Sequence, residues 1–118
     1  MSATDLDRVF HERGRLAICS MLVSKTEGVA FTHLQESCGL TDGNLNRHLH
    51  ALAEEGIVET KRRMGVGRPQ TIVRITARGR TRFLEYIDAL EAIVRDVQRS
   101  TSSNSSSIRT IPARNTSQ

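Results

Sequence analysis

Between residues 32 and 75 the chain alternates helix and strand signals with spacers so short that few folds can hold them. Thr32 offers a hydroxyl to the free N–H groups of a helix start, and Gln35 stands three residues on, as a capping box requires. This helix is expected to end near Ser37 or Cys38, with Gly39 supplying a left-handed turn. Leu40 follows, and Thr41 caps a longer helix over 41–55, stopped by Gly56. Two helices joined by so tight a glycine turn have helix-turn-helix spacing. Residues 57–62 then read as a strand, 64–69 as a basic Gly/Pro loop, and 71–75 as a second strand. A hairpin placed directly after a helix-turn-helix is a wing.

The flanks complete the outline. Leu6, Val9, Phe10, Leu16, Ile18, Met21 and Leu22 give a helical pattern over 5–25. Gly14 is expected to divide it into a short leading helix and a main helix over 15–24. Residues 29–31 are too short for more than a minimal strand. Thr76 caps a last helix over 77–97, where Phe83, Ile87, Leu90, Val94 and Val97 step by four, three, four and three, a heptad seam. The expected fold is therefore α+β and mostly α: a winged helix-turn-helix with a two-stranded β-hairpin wing and a long C-terminal helix. Residues 1–97 form the domain. Residues 98–118 are Ser/Thr/Asn-rich with two isolated Ile residues, a composition expected to be disordered.

At 118 residues the chain has the length of one domain, and with no Trp, one Tyr and three Phe its core must come from aliphatic side chains. So small a body buries a modest share of its surface, and pairing of two chains is a common remedy. The seam over 83–97 is the surface expected to dimerise, since the helix is long for its domain.

Charge is distributed unevenly. From Thr60 to Leu84 there are eight Lys and Arg residues of the seventeen in the chain, and no Asp or Glu. A concentrated basic stretch suits a polyanionic partner. In the helix 41–55, Leu45, Leu49 and Leu52 share one face and should enter the core. Gly43, Asn46, Arg47, His50 and Glu54 fall opposite, with Asn44 and His48 on the flank. Guanidinium and amide groups match base edges, Arg with guanine and Asn with adenine. The candidate DNA-binding residues are Thr41, Gly43, Asn44, Asn46, Arg47 and His50 on the helix, and Lys61, Arg62, Arg63 and Arg68 in the wing 61–70.

The segment GLTDGNLNRHLHALAEEGIVETKRRMGVGRPQTIVRITARGRTRFLEYI resembles the small stand-alone winged-helix transcription regulators of the MarR/ArsR-like kind, the winged helix DNA-binding domain group. The matching pieces are 40–49, 52–58, 61–70 and 75–80, and the likeness extends over about residues 6–97. It implies a homodimer bound to a near-palindromic, inverted-repeat operator on double-stranded DNA. The chain departs from the group at HERGRLAI, where Gly14 weakens the helix. The paired cysteines that ArsR metal sensors display are also missing.

Other functions find less support. There is no phosphate loop and no nucleophile–base–acid constellation, so no enzyme is expected. His11, His33, His48 and His50 are not spaced with Cys19 and Cys38 as a zinc site needs. Neither a metal nor another cofactor is expected, and Cys19 and Cys38 read as buried, reduced thiols. No apolar run reaches membrane-spanning length, and the N-terminus is charged where a signal peptide is apolar. A cytoplasmic protein follows, nucleoid-associated when bound to DNA, and a repressor before an activator. The alternative is a winged-helix module whose basic wing faces an acidic protein partner without specific DNA binding.

Overall fold

A computed structural model of the chain describes residues 6–65 and 67–103. A turn over 7–10 leads into α1 (Arg13–Val23), followed by β1 (Val29–Ala30), α2 (Phe31–Cys38), α3 (Asp42–Glu54), β2 (Val58–Arg63), β3 (Gln70–Ile75) and α4 (Ala77–Ser103). The strands form one antiparallel sheet in the order β1-β3-β2. The minimal strand expected at 29–31 thus becomes a third strand beside the hairpin, with Val29 opposite Val73 and Ala30 opposite Ile72.

That pairing explains why α2 does not start as its sequence predicts. Ala30 is extended within the sheet, so the chain turns helical at Phe31, one residue before Thr32. Ala30 is the N-cap and makes no side-chain capping bond, so the capping box at Thr32 and Gln35 is not formed. The far end of α2 is as expected. Gly39 has φ 65°, a left-handed conformation that costs a residue without Cβ little, and its N–H satisfies the carbonyls of Gln35 and Glu36. Thr41 then caps α3, its Oγ accepting from the Asn44 N–H at 3.1 Å.

Gly14 is the second correction. It does not divide the first helix but lies inside α1, which Glu12 caps by accepting the Arg15 N–H at 2.8 Å. The hydrogen bond from Arg15 holds the Glu12 carboxyl below its ordinary pKa.

One core unites these elements. Ile18, Cys19 and Leu22 from α1 meet Leu34 of α2, Leu45, Leu49 and Leu52 of α3, and Val58, Val73 and Ile75 of the sheet. Three of the chain's four aromatic residues pack at the base of α4. The Phe10 ring lies 5.2 Å from Phe83, edge-on, and 5.5 Å from Tyr86. Phe83 is therefore a core residue, 2% exposed, and its assignment to a dimer seam is corrected: Phe10, ahead of α1, already covers it. Thr76 caps α4 as expected, accepting from the Gly79 N–H while donating to the Gly56 carbonyl. The helix continues to Ser103, so residues 98–103 are helical and not part of a disordered tail; 104–118 lie outside the described residues.

Candidate nucleic-acid interface

Burial sorts the two faces of α3 as helical periodicity requires. Leu45, Leu49 and Leu52 are buried, while Gly43, Asn46, Arg47 and His50 are exposed, Asn44 is half-buried and Thr41 is exposed at the cap. The exposed side chains are not loose. Arg47 Nη2 donates to Asn44 Oδ1 at 2.8 Å, one turn back, which lays the guanidinium along the helix. Its remaining N–H groups stay available to an acceptor outside the protein. His50 Nε2 lies 3.2 Å from Glu54 Oε2, so the helix offers its own anion to that imidazole.

His48 is where the helical wheel misled. It is buried, 8% exposed, and not on an open flank. Its ring faces α1, with Nδ1 3.5 Å from Arg15 Nη1 and Nε2 3.7 Å from Glu12 Oε1. A polar side chain one residue from Arg47 gave no local sign of this. The signal lay at a distance, in Gly14, whose missing side chain leaves room for the imidazole.

Seven of the eight cations in the basic stretch fall into two groups that composition could not separate, the eighth being the exposed Arg78. Arg74 of β3 stands opposite Glu59 of β2 and bonds it at 2.7 Å. Arg80 donates to the Val23 carbonyl at 2.9 and 2.7 Å, closing the C-terminal end of α1. Arg82 pairs with Asp7 at 3.0 Å and Glu55 at 3.1 Å, tying the residues ahead of α1 and the end of α3 to α4. Arg80 and Arg82 thus join separate elements of the domain, and Arg74 is taken up by a cross-strand pair.

Lys61, Arg62, Arg63 and Arg68 form the second group. All are exposed, and among the described residues no carboxylate is paired with them. Strand pleat separates their directions. Lys61 and Arg63 alternate with Arg62, which shares its face with the buried Val58. Arg63 and Arg68 line an open cleft between the wing and the first turn of α2, beside Phe31 and Thr32. Met64 follows at the end of β2, 72% exposed.

Residues 15–94, which contain α2, α3 and the wing, match the family model described as the winged helix DNA-binding domain. The chain belongs to that family. An uncharacterized protein of Methanocaldococcus jannaschii is 37% identical over 91 residues, covering 77% of this chain and 98% of its own. Among solved structures, a transcriptional regulator homologue from Pyrococcus horikoshii superposes with a TM-score of 0.72 at 27% identity, over 77% of this chain and 89% of its own. A MarR-family regulator from Silicibacter pomeroyi shares the fold, with a TM-score of 0.56 at 16% identity, over 91% of this chain and 75% of its own. Family and fold are those of DNA-binding transcriptional regulators and not of enzymes.

Within this winged helix domain, α4 runs past the body. Ile87 and Leu90 are half-buried and pack against the core, whereas Val94 and Val97 are 47% and 58% exposed. Ile87, Leu90 and Val94 line a shallow groove rimmed by Glu91, Arg95 and Gln98. Neither cysteine is in a disulfide. Cys19 is fully buried and Cys38 half-buried, and burial pushes the Cys19 thiol up to about 12. No helix among the described residues is long and apolar enough to cross a membrane.

Proposed function

We propose that this winged helix protein is a homodimeric repressor that reads an inverted-repeat operator in double-stranded DNA. The observation that carries the reading is the presence, on one domain, of an exposed helix face bearing Asn46, Arg47 and His50 and of a wing whose four cations pair with no carboxylate among the described residues. Gly43 belongs to the same face, with Asn44 on its flank and Thr41 at the N-cap, at the end of α3 where N–H groups and a small residue allow close approach to the duplex. Base contacts from α3 supply sequence preference, and the wing supplies phosphate or minor-groove contact.

The exposed end of α4 supports pairing with a second copy. Val94 and Val97 continue the seam of Ile87 and Leu90 beyond the domain's own core, where a stripe of apolar surface costs solubility unless covered. Pairing through it sets two recognition helices for successive major grooves, about 34 Å apart. A dimer bound at a promoter blocks polymerase sterically, which makes repression the simplest output. Such a protein works in the cytoplasm, at the nucleoid. Arg99, and Arg109 and Arg114 further on, add sequence-independent attraction to phosphate.

Sedimentation and gel shift test this together. At tens of micromolar the chain should sediment as a dimer, and Val94→Glu should yield a folded monomer with much weaker DNA binding, because the second half-site contact is no longer intramolecular. A wild-type monomer with full DNA affinity refutes the dimer. Absence of salt-sensitive duplex binding turns the reading toward a protein partner for the wing.

A further inference from the structure

We propose that His48 is a positioning residue for DNA reading: its imidazole, seated in a notch on α1 that exists because residue 14 is glycine, sets the angle at which α3 presents Asn46, Arg47 and His50. The inference rests on α3 being the base-reading helix. It adds the element that fixes its orientation, which includes no residue of the exposed face.

The notch is tight. A Cβ built on Gly14 would lie 2.7 Å from His48 Nε2 and 2.9 Å from Cδ2, distances that real Cβ atoms do not tolerate. The ring has little room to retreat, since it is 8% exposed, with Arg15 Nη1 3.5 Å from Nδ1 and Glu12 Oε1 3.7 Å from Nε2. The walls are fixed in turn to backbone. Glu12 accepts the Arg15 N–H at 2.8 Å, and Arg15 Nε donates to the Val9 carbonyl at 2.7 Å. A methyl group at position 14 therefore displaces the imidazole and, to the extent that these neighbours hold the ring, α3 with it. The displacement acts one residue from Arg47 and two from Asn46 and His50. It reaches the reading face while leaving the wing's phosphate contacts alone. Readout geometry is sensitive to such shifts because a bidentate base contact needs both hydrogen bonds in line.

The same contact explains a glycine that helix propensity disfavours. Alanine is the better helix former, so Gly14→Ala should raise the melting temperature if nothing touched residue 14. The contact reverses that expectation.

A double-mutant cycle decides the matter. Gly14→Ala in the wild-type background should lower the ratio of operator to random-duplex affinity about tenfold, with the salt slope unchanged, and should shift the amide resonances of residues 43–50. In the His48→Ala background, where the ring is gone, the same substitution should move neither the ratio nor those resonances further. Failure of Gly14→Ala to fold with His48 present but not with His48→Ala would show the same coupling. Equal effects in both backgrounds, failure to fold in both, or a higher melting temperature with unchanged specificity would overturn the proposal. If the wild type does not discriminate operator from random DNA, the reading of α3 fails, and the amide shifts still decide whether His48 sets its position.

Discussion

Arg80, in the first turn of α4, donates two hydrogen bonds to the carbonyl of Val23, at 2.9 and 2.7 Å, and so satisfies an acceptor at the C-terminal end of α1. The bond spans 57 residues of chain and joins the first helix to the last. A cation there also faces the negative end of the α1 dipole. Arg80→Ala should destabilise the domain by about 1.5–3 kcal/mol, the range for hydrogen bonds made by a charged group. Chemical denaturation measures this. DNA binding at a temperature where the variant is folded should keep its salt slope; a reduced slope would make Arg80 a phosphate ligand.

Arg47 is expected to read a base. Its guanidinium is pre-oriented by Asn44 at 2.8 Å, so little side-chain freedom remains to be lost on binding. Arg47→Ala should weaken operator binding by about 1–3 kcal/mol and relax preference at one position in each half-site. Competition titrations with single-base operator variants report it. Equal loss on operator and random duplex would assign Arg47 to phosphate instead.

The two classes of arginine give a paired prediction. Arg68 pairs with no carboxylate among the described residues, whereas Arg74 is neutralised by Glu59 at 2.7 Å. Arg68→Ala should lower the slope of log affinity against log salt by about one unit, the loss of one phosphate contact. Arg74→Gln should leave that slope alone. Identical slopes for both variants would mean that pairing does not distinguish them.

Cys19 ties stability to alkaline pH. Burial raises its folded pKa to about 12 from 9.0, so the folded chain keeps the proton where the unfolded chain has lost it. The unfolded state then binds fewer protons, and stability falls as pH rises from about 9 towards 12; below 9 the contribution is fully present. Thermal melts of wild type and Cys19→Ala across this window should diverge, with the variant less sensitive to pH. At neutral pH a thiol reagent should reach the half-buried Cys38 before Cys19. Equal labelling rates would contradict the burial.

Local chemistry made much of this fold legible. Gly39 and Thr41 mark the helix-turn-helix because a left-handed turn and an N-cap each need a particular residue type at a particular place. Leu45, Leu49 and Leu52 name the buried face of α3 by periodicity alone. What stayed hidden depends on contacts distant in sequence. The start of α2 is set by β1 pairing with β3, which overrides the cap at Thr32. Gly14 looked like a helix breaker because its partner, His48, lies 34 residues away on another helix. Phe83 fitted the heptad seam equally well as core or interface, and the position of Phe10 decided it. The basic stretch showed its charge but not its pairing, since Asp7, Glu55 and the Val23 carbonyl meet Arg82 and Arg80 only after folding.

Selection of bound sequences from a pool of random duplex DNA, at a fixed salt concentration, tests the central claim most directly. The account predicts enrichment of an inverted repeat whose half-sites are centred about 10 base pairs apart, or a whole number of helical turns. Each selected duplex should bind two protomers and outcompete random DNA by about a thousandfold or more. A pool that emerges without a consensus, bound no more tightly than at the start, would contradict it.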